Sequence, residues 1–121
     1  MPANITVSDS IHNFLIHSIK ALTFSGTETI LLYNISNHNN CVFHGVISNG
    51  SRTEKLNIEI VTDSSGNAGM EINRIAVNES YLDLSFSTGL SGNALSLTIT
   101  NNVGIDSNAL KYYIIPGDME G

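Results

Sequence analysis

The second half of the chain alternates apolar and polar residues in short runs, which Gly, Asn and Ser turns separate at close, regular spacing. Successive side chains of a β-strand point to opposite faces, so each run predicts a strand with one buried side. The clearest run places Leu95, Leu97 and Ile99 on one face and hydroxyl side chains on the other. Several short strands joined by tight turns are typical of an all-β sandwich.

The first half contains three further runs with strong β propensity, over residues 19–24, 27–35 and 41–48. The second run has apolar residues at both alternating sets of positions, which predicts a central strand covered on both faces. Gly45 interrupts the third run, and a glycine inside a strand indicates a β-bulge. Asn49-Gly50 then predicts a tight hairpin turn, because both residues tolerate a positive φ angle.

These elements predict an antiparallel two-sheet sandwich of seven or eight strands, jelly-roll-like, over residues 19–116. Residues 1–18 are predicted to form an N-terminal arm or a short helix. The apolar residues of segment 8–22 fall at helical spacing, but parts of that segment also suit an extended strand. Pro116-Gly117 ends the last strand, and residues 117–121 are predicted to be a mobile acidic tail.

Composition excludes several classes of function. Only 13% of the residues are charged and the net charge is -6, whereas roughly a quarter of the residues are charged in an ordinary soluble domain. The five basic residues form no cluster in the sequence, which argues against a nucleic-acid partner. Cys41, the one cysteine, cannot form an internal disulfide. The sequence also predicts neither a secretion signal nor membrane insertion.

The best candidate metal site is His38-x-x-Cys41-x-x-His44, because thiolate and imidazole are the ligands that zinc prefers. Residues three apart on an extended chain point to opposite faces, so Cys41 and His44 could converge only if a loop or bulge bent the strand. A small buried cysteine and two polar histidines is the favoured interpretation. The sequence therefore predicts no metal and no cofactor.

Other patterns associated with chemistry are weak. Asp63-x-Ser65-x-Asn67 resembles the start of a calcium loop, but Ala68 and Arg74 stand where such a loop needs glycine and glutamate. A solvated turn is the simpler interpretation. No serine lies in a nucleophile elbow, and no glycine-rich phosphate loop occurs. These observations predict a protein that is not an enzyme.

Contacts with a partner would draw on tyrosine, which offers an apolar ring and a hydrogen-bonding tip. Tyr112 and Tyr113 point to opposite faces of one strand, so one is predicted to lie in the core and the other at a rim or interface. Apolar residues on the second faces of strands are also candidates for subunit contacts. The candidate interface or binding residues are Leu31, Tyr33, Tyr81, Tyr112, Tyr113 and Ile115.

Three stretches carry a likeness to a known class of domain. They read ETILLYNISNHNNCVFHG, LDLSFSTGLSGNALSLTITN and ALKYYII. Their order, with a long apolar strand, an aromatic-x-Gly strand end, a Ser-Gly-Asn turn and a closing strand, resembles small β-sandwich domains of tailed-bacteriophage virion proteins. The segment 60–78 is longer than in that pattern, and the pattern brings no catalytic residue.

The resemblance implies a virion structural protein that decorates or stabilises a capsid or tail and is assembled in the host cytoplasm. It also implies a homo-oligomer, with a trimer favoured, and partners among the major capsid or tail proteins. The alternative is a receptor- or glycan-binding module of a tail fibre. The polar loops 34–40 and 101–108 would then offer groups for the hydroxyls of a host-surface glycan.

Overall fold

A computed structural model describes residues 19–103 and 107–117, which form eight strands and one short 3-10 helix, η1 (Val77–Glu79). No helix of this part of the chain is long and apolar enough to cross a membrane. The strands are β1 (Lys20–Phe24), β2 (Thr27–Asn34), β3 (Asn40–Asn49), β4 (Arg52–Thr62), β5 (Ala68–Ala76), β6 (Leu84–Ser91), β7 (Ala94–Asn101) and β8 (Asn108–Pro116).

The strands form two antiparallel sheets, which confirms the predicted two-sheet sandwich. The five-stranded sheet has the order β1-β8-β3-β4-β5, and the three-stranded sheet has the order β2-β7-β6. Strand β1 pairs with β8 and strand β2 pairs with β7, so the first two strands lie beside the last two. Strands β3, β4 and β5 instead form a meander of consecutive hairpins.

The core lies between the sheets and follows the alternation seen in the sequence. In β7 every second residue is buried, including Leu95, Leu97 and Ile99, as predicted. Strand β4 contributes Leu56 and Ile58 in the same way, both fully buried. Each such side chain stabilises the fold by about 1.5–3 kcal/mol relative to an exposed one.

Strand β2 differs from its prediction. It lies at the edge of the three-stranded sheet and is not a doubly covered central strand. Its register against β7 shifts between Leu31 and Tyr33, so Leu32 is an extra residue and forms a β-bulge. The bulge turns both Leu32 and Tyr33 towards the core, whereas Leu31 is 63% exposed.

The predicted bulge at Gly45 is wrong, because the register of β3 against both neighbours runs through this residue without a shift. Gly45 is needed for space instead. A Cβ atom there would lie 2.9 Å from Cε1 of Phe43. The Phe43 ring covers the glycine and stacks on Tyr112, with ring centroids 5.3 Å apart.

The first hairpin turn is centred one residue later than predicted. Asn49 pairs with Arg52, so Gly50 and Ser51 form the two-residue loop. Gly50 has a φ of 61° at the first central position, as a type II′ turn requires. The turn residues therefore fix the register of β3 on β4.

The structure tests only part of the predictions for the two ends of the chain. The proposed helix or arm of residues 1–18 lies outside the described residues, while 20–24 form the first strand as predicted. Residues 118–121 of the predicted mobile tail also lie outside. Gly117 is held in place, because its N–H donates to the Asn40 carbonyl at 2.9 Å. Its own carbonyl is 2.8 Å from Nδ1 of His38.

Candidate interaction surface

The five-stranded sheet has one side on the core and one side turned away from it, here called the outer face. Alternate residues of β8, β3, β4 and β5 project onto this face. The strand registers align these residues in rows that run across the sheet. Three consecutive rows differ sharply in charge.

The first row, called the basic row, consists of Lys111, Val46, Lys55 and Ile75 as neighbours on successive strands. Both lysines are exposed and flank the same valine. Val46 is 43% exposed and Ile75 is 67% exposed, although both are apolar. The row therefore presents apolar surface framed by positive charge.

The next row, called the middle row, consists of Tyr113, His44, Asn57 and Asn73. The rings of His44 and Tyr113 stack at a centroid distance of 4.8 Å. Burial, followed by the charge of Lys55, lowers the pKa of His44, which favours a neutral imidazole. The buried Oδ1 atom of Asn57 has no hydrogen-bond partner among the described residues.

The third row, called the acidic row, consists of Ile115, Val42, Glu59 and Glu71. Glu59 and Glu71 are direct cross-strand partners and both are exposed. Like charges directly opposite each other on a sheet are destabilising. This arrangement therefore favours a cationic group that lies over the row.

A shallow depression of about 360 Å³ opens on the outer face across the basic and middle rows. Its walls include Ile19, which is 51% exposed, and the side chains of His44 and Tyr113. An apolar floor with a few polar groups is typical of a contact surface. The depression thus extends the exposed apolar area of the basic row.

The opposite surface of the sandwich has a different character. On the three-stranded sheet, Thr27 lies beside Thr100 and Thr29 beside Thr98, with a hydroxyl distance of 3.2 Å in each pair. These hydroxyls bond to each other and suit contact with water. Leu31 is exposed beside these threonines, whereas the outer face exposes Ile19, Val46 and Ile75 around or near a depression.

The candidate metal ligands do not converge. Cys41 points into the core and is 2% exposed, whereas His44 projects onto the outer face. His38 lies in the loop before β3, where its ring contacts the Gly117 carbonyl. Without a bend at Gly45, positions three apart stay on opposite faces. No group of three metal-ligating side chains occurs within residues 19–103 and 107–117.

The loop with a calcium-like pattern is closed by its own hydrogen bonds. The Asp63 carboxylate accepts from the backbone N–H groups of Ser65 and Asn67 at 2.9 and 3.0 Å. It also accepts from Nδ2 of Asn67 at 3.0 Å. These bonds, led by the Asn67 side chain, lower the pKa of Asp63. The interpretation as a turn accounts for the whole motif.

The candidate contact residues separate into three groups. Tyr33 and Tyr112 are 5% and 8% exposed and belong to the core, so their assignment to an interface is corrected. The bulge at Leu32 turns Tyr33 inward. Tyr113 and Ile115 project onto the outer face, so Tyr112 and Tyr113 point to opposite faces of β8 as predicted. The remaining candidates lie elsewhere, with Leu31 on the hydroxyl side and Tyr81 between η1 and β6.

Comparison with known proteins identifies no family. No protein-family model matches the chain, and no curated protein is significantly similar to it. The likeness to virion domains therefore rests on the sequence pattern alone.

The sequence alone does not predict the basic row. Half of it could be found, because a two-residue hairpin loop at Gly50-Ser51 places Lys55 opposite Val46. The other half depends on the pairing of β8 with β3, which joins distant parts of the chain. No local pattern carries that information.

A second depression lies at one end of the sandwich. It measures about 370 Å³ and is lined by amide, hydroxyl and carboxylate groups, among them Ser36, Asn39, Asp63 and Asn93. Nδ2 of Asn93 donates to the Ser36 hydroxyl at 3.2 Å, which connects two of the loops. This depression includes part of the predicted polar loop 34–40.

Proposed function

We propose that the chain is a non-enzymatic structural subunit of a bacteriophage virion, which decorates or stabilises the capsid or tail through oligomeric packing. The observation that supports this proposal most is the outer face, with its exposed Val46 and Ile75 beside a shallow apolar depression. Exposed apolar patches of this kind mark protein interaction sites.

The rest of the molecule suits the same role. The face is formed by five strands that are hydrogen-bonded side by side. It is therefore a rigid surface that loses little entropy on association. The low charge of the chain also reduces repulsion between neighbouring subunits. Its partners are other copies of itself and the major capsid or tail protein, and its location is the virion, after assembly in the host cytoplasm.

Self-association tests the proposal directly. Light-scattering chromatography of the full chain should give a mass above that of the monomer, increasing with concentration. Val46→Asp places a charge in the basic row and should reduce association. Ser87→Asp introduces the same charge on an exposed strand residue of the three-stranded sheet and should leave association unchanged. Equal masses for both variants and the wild type would contradict a role for the outer face.

Sedimentation tests whether the protein is part of the virion. Phage particles purified by density gradient from a culture that carries the sequence should contain peptides of this chain. The peptides should stay with the particles after a salt wash. If the protein is found only in the fractions without particles, the proposal of a virion subunit is wrong.

The second depression favours one alternative, a receptor- or glycan-binding module. Its amides and hydroxyls are the groups that bind sugar hydroxyls, and it lies on loops at the end of a rigid sandwich. A glycan array would show binding that Asn93→Ala weakens, and Asn73→Ala, at an exposed residue of β5 away from this depression, would be the control. No binding to the array or to host cells would count against this alternative.

A further inference from the structure

The outer face separates positive from negative charge along the strands. On β4, Lys55 and Glu59 lie two residues before and two residues after Asn57, all on the same face. On β3, Val46 and Val42 lie in the same way on either side of His44. The basic and acidic rows are thus equidistant from the middle row. Such a surface is complementary to itself after a half-turn.

One two-fold arrangement uses this complementarity. An axis that lies along the middle row, in the plane of contact, turns the basic row of one copy onto the acidic row of another. Lys55 then meets Glu59 of the second copy, and the reciprocal pair forms by symmetry. Val46 meets Val42 of the second copy between the charged groups. Glu71, one strand from Glu59, comes within reach of the same lysine.

We propose that the partner of the outer face is a second copy of this chain, packed face to face about a two-fold axis along the middle row. This inference rests on the proposed function and refines it, because it replaces the expected trimer with an isologous pair. A two-fold axis parallel to the strands and over the central strand β3 would instead place Lys55 against Lys111 of the second copy. Electrostatic complementarity therefore selects the axis.

The size of the face is sufficient for such a pair. Five strands about 4.8 Å apart, with five to eleven residues at about 3.3 Å per residue, cover roughly 700 Å². A standard stable interface buries about 800 Å² on each partner. The acidic row gives a further reason, because a lysine of the second copy relieves the repulsion between Glu59 and Glu71.

The charged residues are available for these contacts. Arg74 and Glu54 form the ion pair found among the described residues, and Lys55 and Glu59 take no part in it. Both are exposed, and within the sheet they neighbour Val46, Ile75, Val42 and Glu71 rather than each other. Reversing either charge should therefore leave the fold intact.

Charge reversal provides the test, with the dimer dissociation constant measured by sedimentation equilibrium on the full chain at low ionic strength. Lys55→Glu and Glu59→Lys should each weaken the homodimer by about tenfold or more, because both place like charges across the axis. The double variant restores opposite charges and should recover most of the affinity. Arg52→Glu and Glu79→Lys, exposed residues outside the outer face, are the matched controls and should change it little.

Mixing the two single variants gives the sharpest result. One copy then carries two acidic groups and the other two basic groups, so the heterodimer should be tighter than the homodimer of either variant by about tenfold or more. Added salt should weaken this heterodimer. A wild type that stays monomeric, single variants that dimerise normally, or a mixture that does not associate would each overturn the proposal.

The same variants separate this inference from the proposed function. If the wild type stays monomeric yet sediments with phage particles, the two-fold pair is wrong and the structural role stands. If the charge variants behave as expected but the protein is found outside the particles, the pair stands and the virion role is wrong.

Discussion

Arg74 and Glu54 form an ion pair that stabilises the crossing, the segment in which the chain passes from one sheet to the other. Nε and Nη2 of Arg74 donate to the two carboxylate oxygens of Glu54, which is 1% exposed. Nη2 also donates to the Leu82 carbonyl at 2.6 Å, and the Leu82 N–H donates to Oε1 of Glu54 at 2.9 Å. The pair thereby holds the segment through which the chain passes from β5 to β6.

Removal of the arginine should strongly destabilise the protein. Arg74→Ala leaves the buried Glu54 carboxylate without its counter-charge, which costs about 3–5 kcal/mol. Urea unfolding followed by circular dichroism measures the loss. Arg52→Ala, which removes an exposed arginine two residues from Glu54, should change the free energy of unfolding by less than about 0.5 kcal/mol. Similar values for the two variants would mean that the pair does not hold the crossing.

A second connection between the sheets joins Tyr33 on β2 to Thr62 on β4. Their hydroxyls lie 2.8 Å apart in a buried environment, and burial raises the pKa of Tyr33. Tyr33→Phe removes this bond and leaves the Thr62 hydroxyl only its longer bond of 3.5 Å to the Asn39 carbonyl, so it should cost about 1 kcal/mol. Thr62→Val alone should have a similar cost, whereas the double variant should cost less than the sum. A double-mutant cycle in urea checks this coupling, and additive effects would contradict it.

Substitution by alanine should have different effects on stability at Gly45 and at Gly89. In Gly45→Ala the new methyl group meets the Phe43 ring and Leu110, so overpacking should lower the free energy of unfolding by about 1–3 kcal/mol. Gly89 has no atom within 4 Å of the corresponding position. Gly89→Ala should therefore leave stability unchanged or raise it slightly. Thermal unfolding of the pair measures the difference, and equal melting temperatures would refute it.

Cys41 should be unreactive while the protein is folded. Burial raises the pKa of its thiol from an ordinary 9.0 to about 12, so little thiolate forms at pH 8. A thiol reagent should label it only slowly in buffer and rapidly in urea. The raised pKa also contributes stability below pH 9, and this contribution decreases as pH rises from about 9 towards 12. Rapid labelling of the native protein would contradict its placement in the core.

The sequence predicts the sandwich because alternation reports burial directly, as in the Leu95, Leu97 and Ile99 run. It does not report which strands are neighbours. The apolar residues of β2 suggested a central strand, but one extra residue at Leu32 rotates Tyr33 inward and leaves Leu31 exposed. Likewise, Lys55 and Lys111 are distant in the chain and flank Val46 only because β3 pairs with both β4 and β8. The candidate surface is thus a product of pairing between distant segments.

The last prediction concerns a buried amide network, which lies at the end of the sandwich opposite the second depression. Asn108 is fully buried, and its Nδ2 donates to the Phe24 carbonyl at 3.1 Å. Its Oδ1 accepts from Nδ2 of Asn49 at 2.9 Å and from Nδ2 of Asn101 at 2.8 Å. One side chain thus connects the ends of β1, β3 and β7 to the start of β8.

Asn108→Leu keeps a similar volume but removes all three bonds. Because the Phe24 carbonyl and the buried Asn101 amide lose their partner, the free energy of unfolding should fall by about 2–4 kcal/mol. Asn37→Leu, at an exposed turn residue, is the control and should change it by less than about 0.5 kcal/mol. Hydrogen exchange should locate the loss at the four strand ends that meet at Asn108. If protection falls evenly across both sheets instead, the network does not stabilise these strand ends locally.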